Sequence, residues 1–195
     1  MKTLTPPNTL GTAGLTLIKT FEGLKLRAYL CPANKLTIGF GHVIGAPFDD
    51  KFFKAFDSHS LQACIDACQQ RRRLTPEAVA GLFINPAQAE TLLRNDTQRV
   101  AEFINSIHPF DSAQGKPWLT PNQFDALVSL VFNIGQGNYC DSTLRKKLKA
   151  GDFVGAAGEF ERWVFGTVNG KKVKLPGLVT RRAAERALFE TPCLL

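Results

Sequence analysis

Phe21-Glu22-Gly23-Leu24-Lys25-Leu26-Arg27-Ala28-Tyr29-Leu30-Cys31-Pro32-Ala33-Asn34-Lys35-Leu36-Thr37-Ile38-Gly39-Phe40-Gly41-His42 runs a helix end straight into a hairpin. Leu15, Ile18 and Phe21 recur at helical spacing, and Gly23 follows Glu22 where a helix stops. Glu22 is thereby placed at the rim of a buried surface. Arg27 to Leu30 and Leu36 to Phe40 read as two short strands, joined across Cys31-Pro32-Ala33-Asn34-Lys35, a turn by composition. A helix end and a hairpin of this kind face each other across a cleft, with Glu22, Cys31 and Thr37 as the residues of chemical interest.

Working outward, 195 residues with 44% hydrophobic content can build one large domain or two compact lobes with a real core. The net charge of +7 implies attraction to polyanions: nucleic acid, an anionic membrane surface or the bacterial envelope. Charge alone does not rank them. The cations gather late, in Arg145-Lys146-Lys147-Leu148-Lys149, Lys171-Lys172-Val173-Lys174 and Arg181-Arg182, and a solvated surface explains them as well as a docking patch does. No stretch reaches the roughly 20 apolar residues of a membrane span. The opening Met1 to Leu10 lacks the apolar core of a secretory signal, so the expectation is a protein held in a cytoplasm. Five cysteines, Cys31, Cys64, Cys68, Cys140 and Cys193, form no disulfide framework, which agrees with a reducing compartment.

Residues up to about Gly11 read as a poorly tied lead-in. After the hairpin, Phe48, Phe52, Phe53 and Phe56 form an aromatic cluster better suited to a core than to a large exposed patch. Leu61, Cys64, Ile65 and Cys68 fall on one face of an amphipathic helix, as core-facing thiols without further metal-ligand partners nearby. Asn85-Pro86-Ala87-Gln88 is a capped helix start. Ala89, Leu92, Leu93, Val100, Phe103, Ile104 and Ile107 then keep one apolar face through a long helix. Thr120-Pro121-Asn122-Gln123 repeats the device before Phe124, Leu127, Val128 and Val131, in a buried helix ending near Gly135. Ser142 opens a basic helix that Gly151-Asp152 breaks, and Phe153, Ala157, Phe160 and Trp163 continue a helical face.

Eight residues separate Glu22 from Cys31 and five separate Cys31 from Thr37, with Gly39-Phe40-Gly41-His42 close behind. This resembles the phage-type lysozymes of glycoside hydrolase family 24, whose pattern is a Glu, eight residues, an Asp or Cys, five residues and a Thr, followed by Gly-x-Gly-His. Ala126 to Gly135 resembles the central helix of the family's second lobe, and Leu175 to Glu185 its closing segment. The resemblance implies a mostly helical α+β fold in a single lysozyme domain over residues 1–195. It would comprise a hairpin-bearing lobe about 12–84 with a helical insertion about 44–80, a linking helix about 86–107, and a helical lobe about 108–195. It further implies a pairing of His42 with Asp96, substrate contacts from Phe132, Asn133, Gly135 and Trp163, and an approach of Arg181 or Arg182 to Glu22. Core packing explains Phe132 and Trp163 equally well.

Cutting a glycosidic bond needs an acid for the leaving oxygen and a group that stabilises or quenches the oxocarbenium-like carbon. Glu22 is the candidate acid, which requires it to hold a proton near neutral pH, as an apolar site favours. Cys31 stands where many family members have Asp, so it either places water or, if ionised, stabilises positive charge, while Thr37 orients the water. The implied substrate is the bond between N-acetylmuramic acid and N-acetylglucosamine in peptidoglycan, cut without metal or cofactor, since HExxH, Cys-x-x-Cys and phosphate-cradling glycine motifs are all missing. The implied protein is a monomeric endolysin held in the host cytoplasm until a holin-type membrane pore releases it to the periplasmic wall. A bacterial effector would read the same way. Two rivals remain open: a cysteine amidase or endopeptidase using Cys31 with His42, and a wall-binding protein that has lost catalysis. A specific nucleic-acid binder lacks a recognisable motif.

Overall fold

The computed structural model describes residues 8–31, 35–44, 66–67, 70, 82–108, 119–168 and 170–192. The chain divides into two compact units, one of residues 22–96 and one of residues 1–21 with 97–195. Of the expected insertion over 44–80, only Ile44, Asp66, Ala67 and Gln70 are described. Phe48, Phe52, Phe53, Phe56, Leu61, Cys64, Ile65 and Cys68 lie outside the described residues.

The 22–96 unit is built on an antiparallel sheet of β1 (Lys25–Leu30), β2 (Leu36–Gly39) and β3 (His42–Val43), in that order. Tyr29 pairs with Thr37 and Leu30 with Leu36 on one side of β2, and Thr37 with Val43 and Ile38 with His42 on the other. The far edge of β1 is covered as well, by Ala28 N–H donating to Leu82 C=O at 2.9 Å and Ile84 N–H donating to Leu26 C=O at 2.9 Å. Neither β3 nor this edge pairing shows in the sequence, because runs of two or three residues have no periodicity to read. Leu36, Ile38, Ile44, Leu82, Ile84, Ala89, Leu92 and Leu93 are buried and form the unit's core. Helix α2 (Pro86–Ile107) begins here with a reciprocal cap: Gln88 N–H donates to Asn85 Oδ1 at 2.9 Å, and Asn85 N–H to Gln88 Oε1 at 2.8 Å.

Helix α1 (Thr12–Glu22) belongs to the other unit save for its last residue, Glu22. The same unit also contains α3 (Pro121–Ile134), α4 (Gln136–Asp141), α5 (Thr143–Lys149), α6 (Phe153–Gly158), a 3-10 turn (Glu159–Arg162), the hairpin β4 (Phe165–Val168) with β5 (Lys171–Lys174), and α7 (Pro176–Glu190). Thr120 and Gln123 cap α3 reciprocally, and every residue from Phe124 to Val131 is buried. The larger of these apolar side chains, Phe124, Leu127, Val128, Leu130 and Val131, each stabilise the fold by roughly 1.5–3 kcal/mol relative to exposure. Helix α7 packs along α3 and the 3-10 turn. The fold is thus mostly helical with small antiparallel sheets, in line with the α+β expectation.

The start of α1 corrects one expectation. Its N-cap, Gly11, has no side chain to accept from the helix's first N–H groups. Asp125 of α3 supplies the acceptor instead: Gly11 N–H donates to Oδ1 at 2.7 Å and Gly14 N–H to Oδ2 at 2.8 Å. Asn105 Nδ2 also donates to the Asn8 carbonyl at 2.8 Å. Asn8 and Gly11, read from sequence as loosely tied, are therefore held by α2 and α3. The lysine cluster Lys171–Lys174, for which the sequence gives no secondary structure, folds as strand β5 of a two-stranded ribbon with β4.

Candidate active site

Glu22 ends α1, and Gly23, at φ +69°, turns the chain into β1 from a conformation that only glycine adopts without strain. Between β2 and β3, Gly41 sits at φ +91°, and a Cβ built there would stand 3.6 Å from Glu22 Oε2. The carboxylate therefore lies against the Gly-Phe-Gly-His turn. Partners directly opposite in an antiparallel pair project to the same side, and successive residues alternate. Tyr29 and Thr37 consequently share a face. Cys31, two residues beyond Tyr29, extends the ladder by donating its N–H to Lys35 C=O at 3.0 Å and falls on that face too. Thr37 is buried, and its hydroxyl donates to the Lys35 carbonyl at 2.9 Å.

Tyr29 is half-buried, and its phenol is pushed above the ordinary tyrosine range by burial first, then by the negative charges of Cys31 and Glu22. The phenol is thus a neutral O–H donor at physiological pH, within electrostatic reach of both candidate catalytic groups. Sequence reasoning passed over it. The signal was its offset of two residues from Cys31, which has meaning only once the register with Thr37 is known.

His42 belongs to the opposite face. It pairs with Ile38, one residue out of phase with Thr37, and its buried Nδ1 lies 2.8 Å from Asp96 Oδ2. The alternation turns the imidazole away from the Cys31 face and gives it to α2. A thiol–imidazole dyad has no support in this arrangement.

The remaining candidates belong to the other unit. Phe132 is half-buried and Asn133 exposed in the last turn of α3, Gly135 ends that helix at φ +84°, and Trp163 is half-buried after the 3-10 turn. Arg181 and Arg182 are buried on α7 together with Glu185. Arg181 Nε donates to Glu185 Oε1 at 3.0 Å, Ser129 Oγ donates to the same oxygen at 2.7 Å, and Arg182 Nη1 stands 3.1 Å from Oε2. Burial raises the Glu185 carboxyl above its ordinary range, opposed by the Arg182 charge, the Ser129 hydroxyl and Arg181. Arg182 Nη2 donates to Asn133 Oδ1 at 2.7 Å, so the exposed amide has its N–H₂ group to offer outward. Arg181 also lies over Phe21, 5.8 Å from the ring centre.

A phage lysozyme family model matches residues 19–185, the whole span that carries these side chains. The chain belongs to the phage lysozyme family. Among its relatives, an endolysin of Acyrthosiphon pisum secondary endosymbiont phage 1 is 41% identical over 178 residues, covering 91% of this chain and 95% of that protein. Among solved structures, the muramidase domain of SpmX from Asticaccaulis excentricus superposes with a TM-score of 0.69 at 30% identity, covering 95% of this chain and 99% of that one. An endolysin from Escherichia coli O157:H7 phage FAHEc1 gives a TM-score of 0.67 at 32% identity, covering 93% of each chain.

This phage lysozyme thus gathers Glu22, Tyr29, Cys31 and Thr37 within its hairpin-bearing unit. No group of three or more His, Cys, Asp and Glu that could hold a metal ion occurs among the described residues. No described helix is long and apolar enough to cross a membrane.

Proposed function

We propose that the chain is an endolysin that hydrolyses the β-1,4 bond between N-acetylmuramic acid and N-acetylglucosamine, with Glu22 as general acid and Cys31 and Thr37 on the water side. One observation carries this assignment: Cys31 and Thr37 share a hairpin face within the unit whose Gly41 meets the Glu22 carboxylate. Glu22 gives its proton to the glycosidic oxygen as the bond to the anomeric carbon breaks, and the bonding electron pair leaves with that oxygen. Water adds to the oxocarbenium-like carbon from the opposite face. The Thr37 hydroxyl, whose hydrogen is committed to Lys35 C=O, has lone pairs left to accept from that water and align it. Cys31 in its thiolate form accepts the proton that the water loses and becomes the thiol, and the Tyr29 O–H holds that water in place. For the substrate, Asn133 offers its N–H₂ group, Phe132 and Trp163 offer ring faces to sugar, and Gly135 lets the glycan approach the backbone.

Under this reading a holin-type pore delivers a monomeric enzyme from the host cytoplasm to the wall. The deciding experiment is mass spectrometry of fragments released from purified peptidoglycan by the wild type and by Glu22→Gln. New reducing N-acetylmuramic ends that vanish in the variant are the expected result. Anhydro ends would make the chain a lytic transglycosylase, and new amino groups would return the argument to cysteine chemistry.

A further inference from the structure

Strands β4 and β5 form a ribbon whose two faces are read from its register. Phe165 opposes Lys174 and Thr167 opposes Lys172, so these four share one side, while Gly166, Val173, Val168 and Lys171 share the other. Phe165 is 47% exposed, Val168 44% and Val173 41%, and every residue of β5 is exposed. The Lys172 ammonium stands 5.0 Å from the centre of the Phe165 ring. From Trp163 to Ala184 the chain has no carboxylate at all. An isolated two-stranded ribbon is marginal in water, and its own residues bury little here.

We propose that the Phe165 face of this ribbon is a docking surface for peptidoglycan strands, holding the polymer through its sugar rings and the free carboxylates of its peptides. The polymer's identity rests on the muramidase reading; the docking surface itself rests on the ribbon. An aromatic face suits the apolar face of a pyranose ring, and ammonium groups beside it suit carboxylates close to that ring. A lipid bilayer fits less well, because lysine stands on both faces of the ribbon and neither face can enter the acyl region without carrying a charge along. Trp163, a candidate sugar contact, lies two residues before Phe165 and makes the surface continuous in sequence with the substrate residues.

The test is co-sedimentation with purified sacculi, in a Glu22→Gln background so that binding is read without digestion. Lys172→Gln/Lys174→Gln is expected to bind about five-fold more weakly at low salt, a loss that fades as salt rises. Phe165→Ser is expected to weaken binding at low and high salt alike. Lys146→Gln/Lys149→Gln, which removes the same charge from exposed positions on α5, is expected to stay near the parent. Amidating the sacculus carboxylates should reproduce the lysine loss in the parent chain. Equal loss from both lysine pairs, or loss from neither, overturns the proposal. So does a ribbon variant that loses phosphatidylglycerol vesicles and keeps sacculi. A Glu22→Gln chain that still digests the wall strikes the catalytic assignment and leaves the ribbon to be judged by its own binding curve.

Discussion

Cys31 and Tyr29 pose the sharpest question at the scale of single residues. A thiol is a weaker acid than the carboxylate that many lysozymes hold at this place, so a neighbouring neutral O–H donor has more to contribute here. Tyr29→Phe removes the hydroxyl and keeps the ring in its half-buried site. The expected outcome is a fall of about ten-fold in kcat with KM and Tm little changed, read from initial rates of reducing-end release. An unchanged kcat would make the phenol a bystander. Cys31→Ser is expected to cost about a hundred-fold in kcat, and Cys31→Asp to restore most of it. Glu22, Cys31 and Thr37 could be proposed from the sequence because the family pattern they resemble lies in one short stretch. Tyr29 could not, because a residue gains a face only from its strand partner. Asp125 could still less, since its two N–H donors lie 114 and 111 residues away.

At the scale of elements, the start of α1 is fixed by a side chain of α3. Asp125 replaces the missing side chain of Gly11, and a carboxylate at a helix N-terminus also complements the helix dipole. Asp125→Ala is expected to cost about 2 kcal/mol in urea unfolding, because two hydrogen bonds are lost and the Gly14 N–H stays buried. Asp125→Asn, which keeps an acceptor, is expected to cost about half as much. A second test belongs to the seam between β3 and α2. A double-mutant cycle on His42→Ala and Asp96→Ala is expected to show a coupling of about 1–2 kcal/mol, and zero coupling would leave the 2.8 Å contact without weight. The long helices were readable because capping residues and a sustained apolar face announce them. The β4–β5 ribbon was not, since Lys171-Lys172-Val173-Lys174 has no apolar alternation and the strands bury almost nothing.

The molecule's response to pH is a property of the whole, and buried groups of opposite sign compete in it. His108, buried at the end of α2 with Nε2 2.7 Å from the Tyr139 hydroxyl, has its imidazole pushed down to about 4, by burial first and then by the charges of Arg145 and Lys149. Unfolded, the same ring takes a proton near pH 6.5. Above that pH both states are neutral and the full stability is present. Between about 6.5 and 4 the unfolded chain binds a proton that the folded chain refuses, so stability falls with pH, by about 3 kcal/mol in all. Asp125 and Glu185 act the other way. Burial holds their carboxyls above the ordinary range, so the folded state takes up protons before the unfolded state does and gains stability as pH falls through that range. The wild-type curve alone therefore mixes the two. His108→Gln isolates one of them, because an amide keeps a hydrogen bond to Tyr139 and carries no proton equilibrium. The expected outcome is that the wild type, measured by urea unfolding at pH 7 and pH 4.5, loses about 2–3 kcal/mol more between those pH values than His108→Gln does. Parallel losses in the two proteins would show that His108 is protonated without cost, and that the acid sensitivity of this fold arises from groups other than this imidazole.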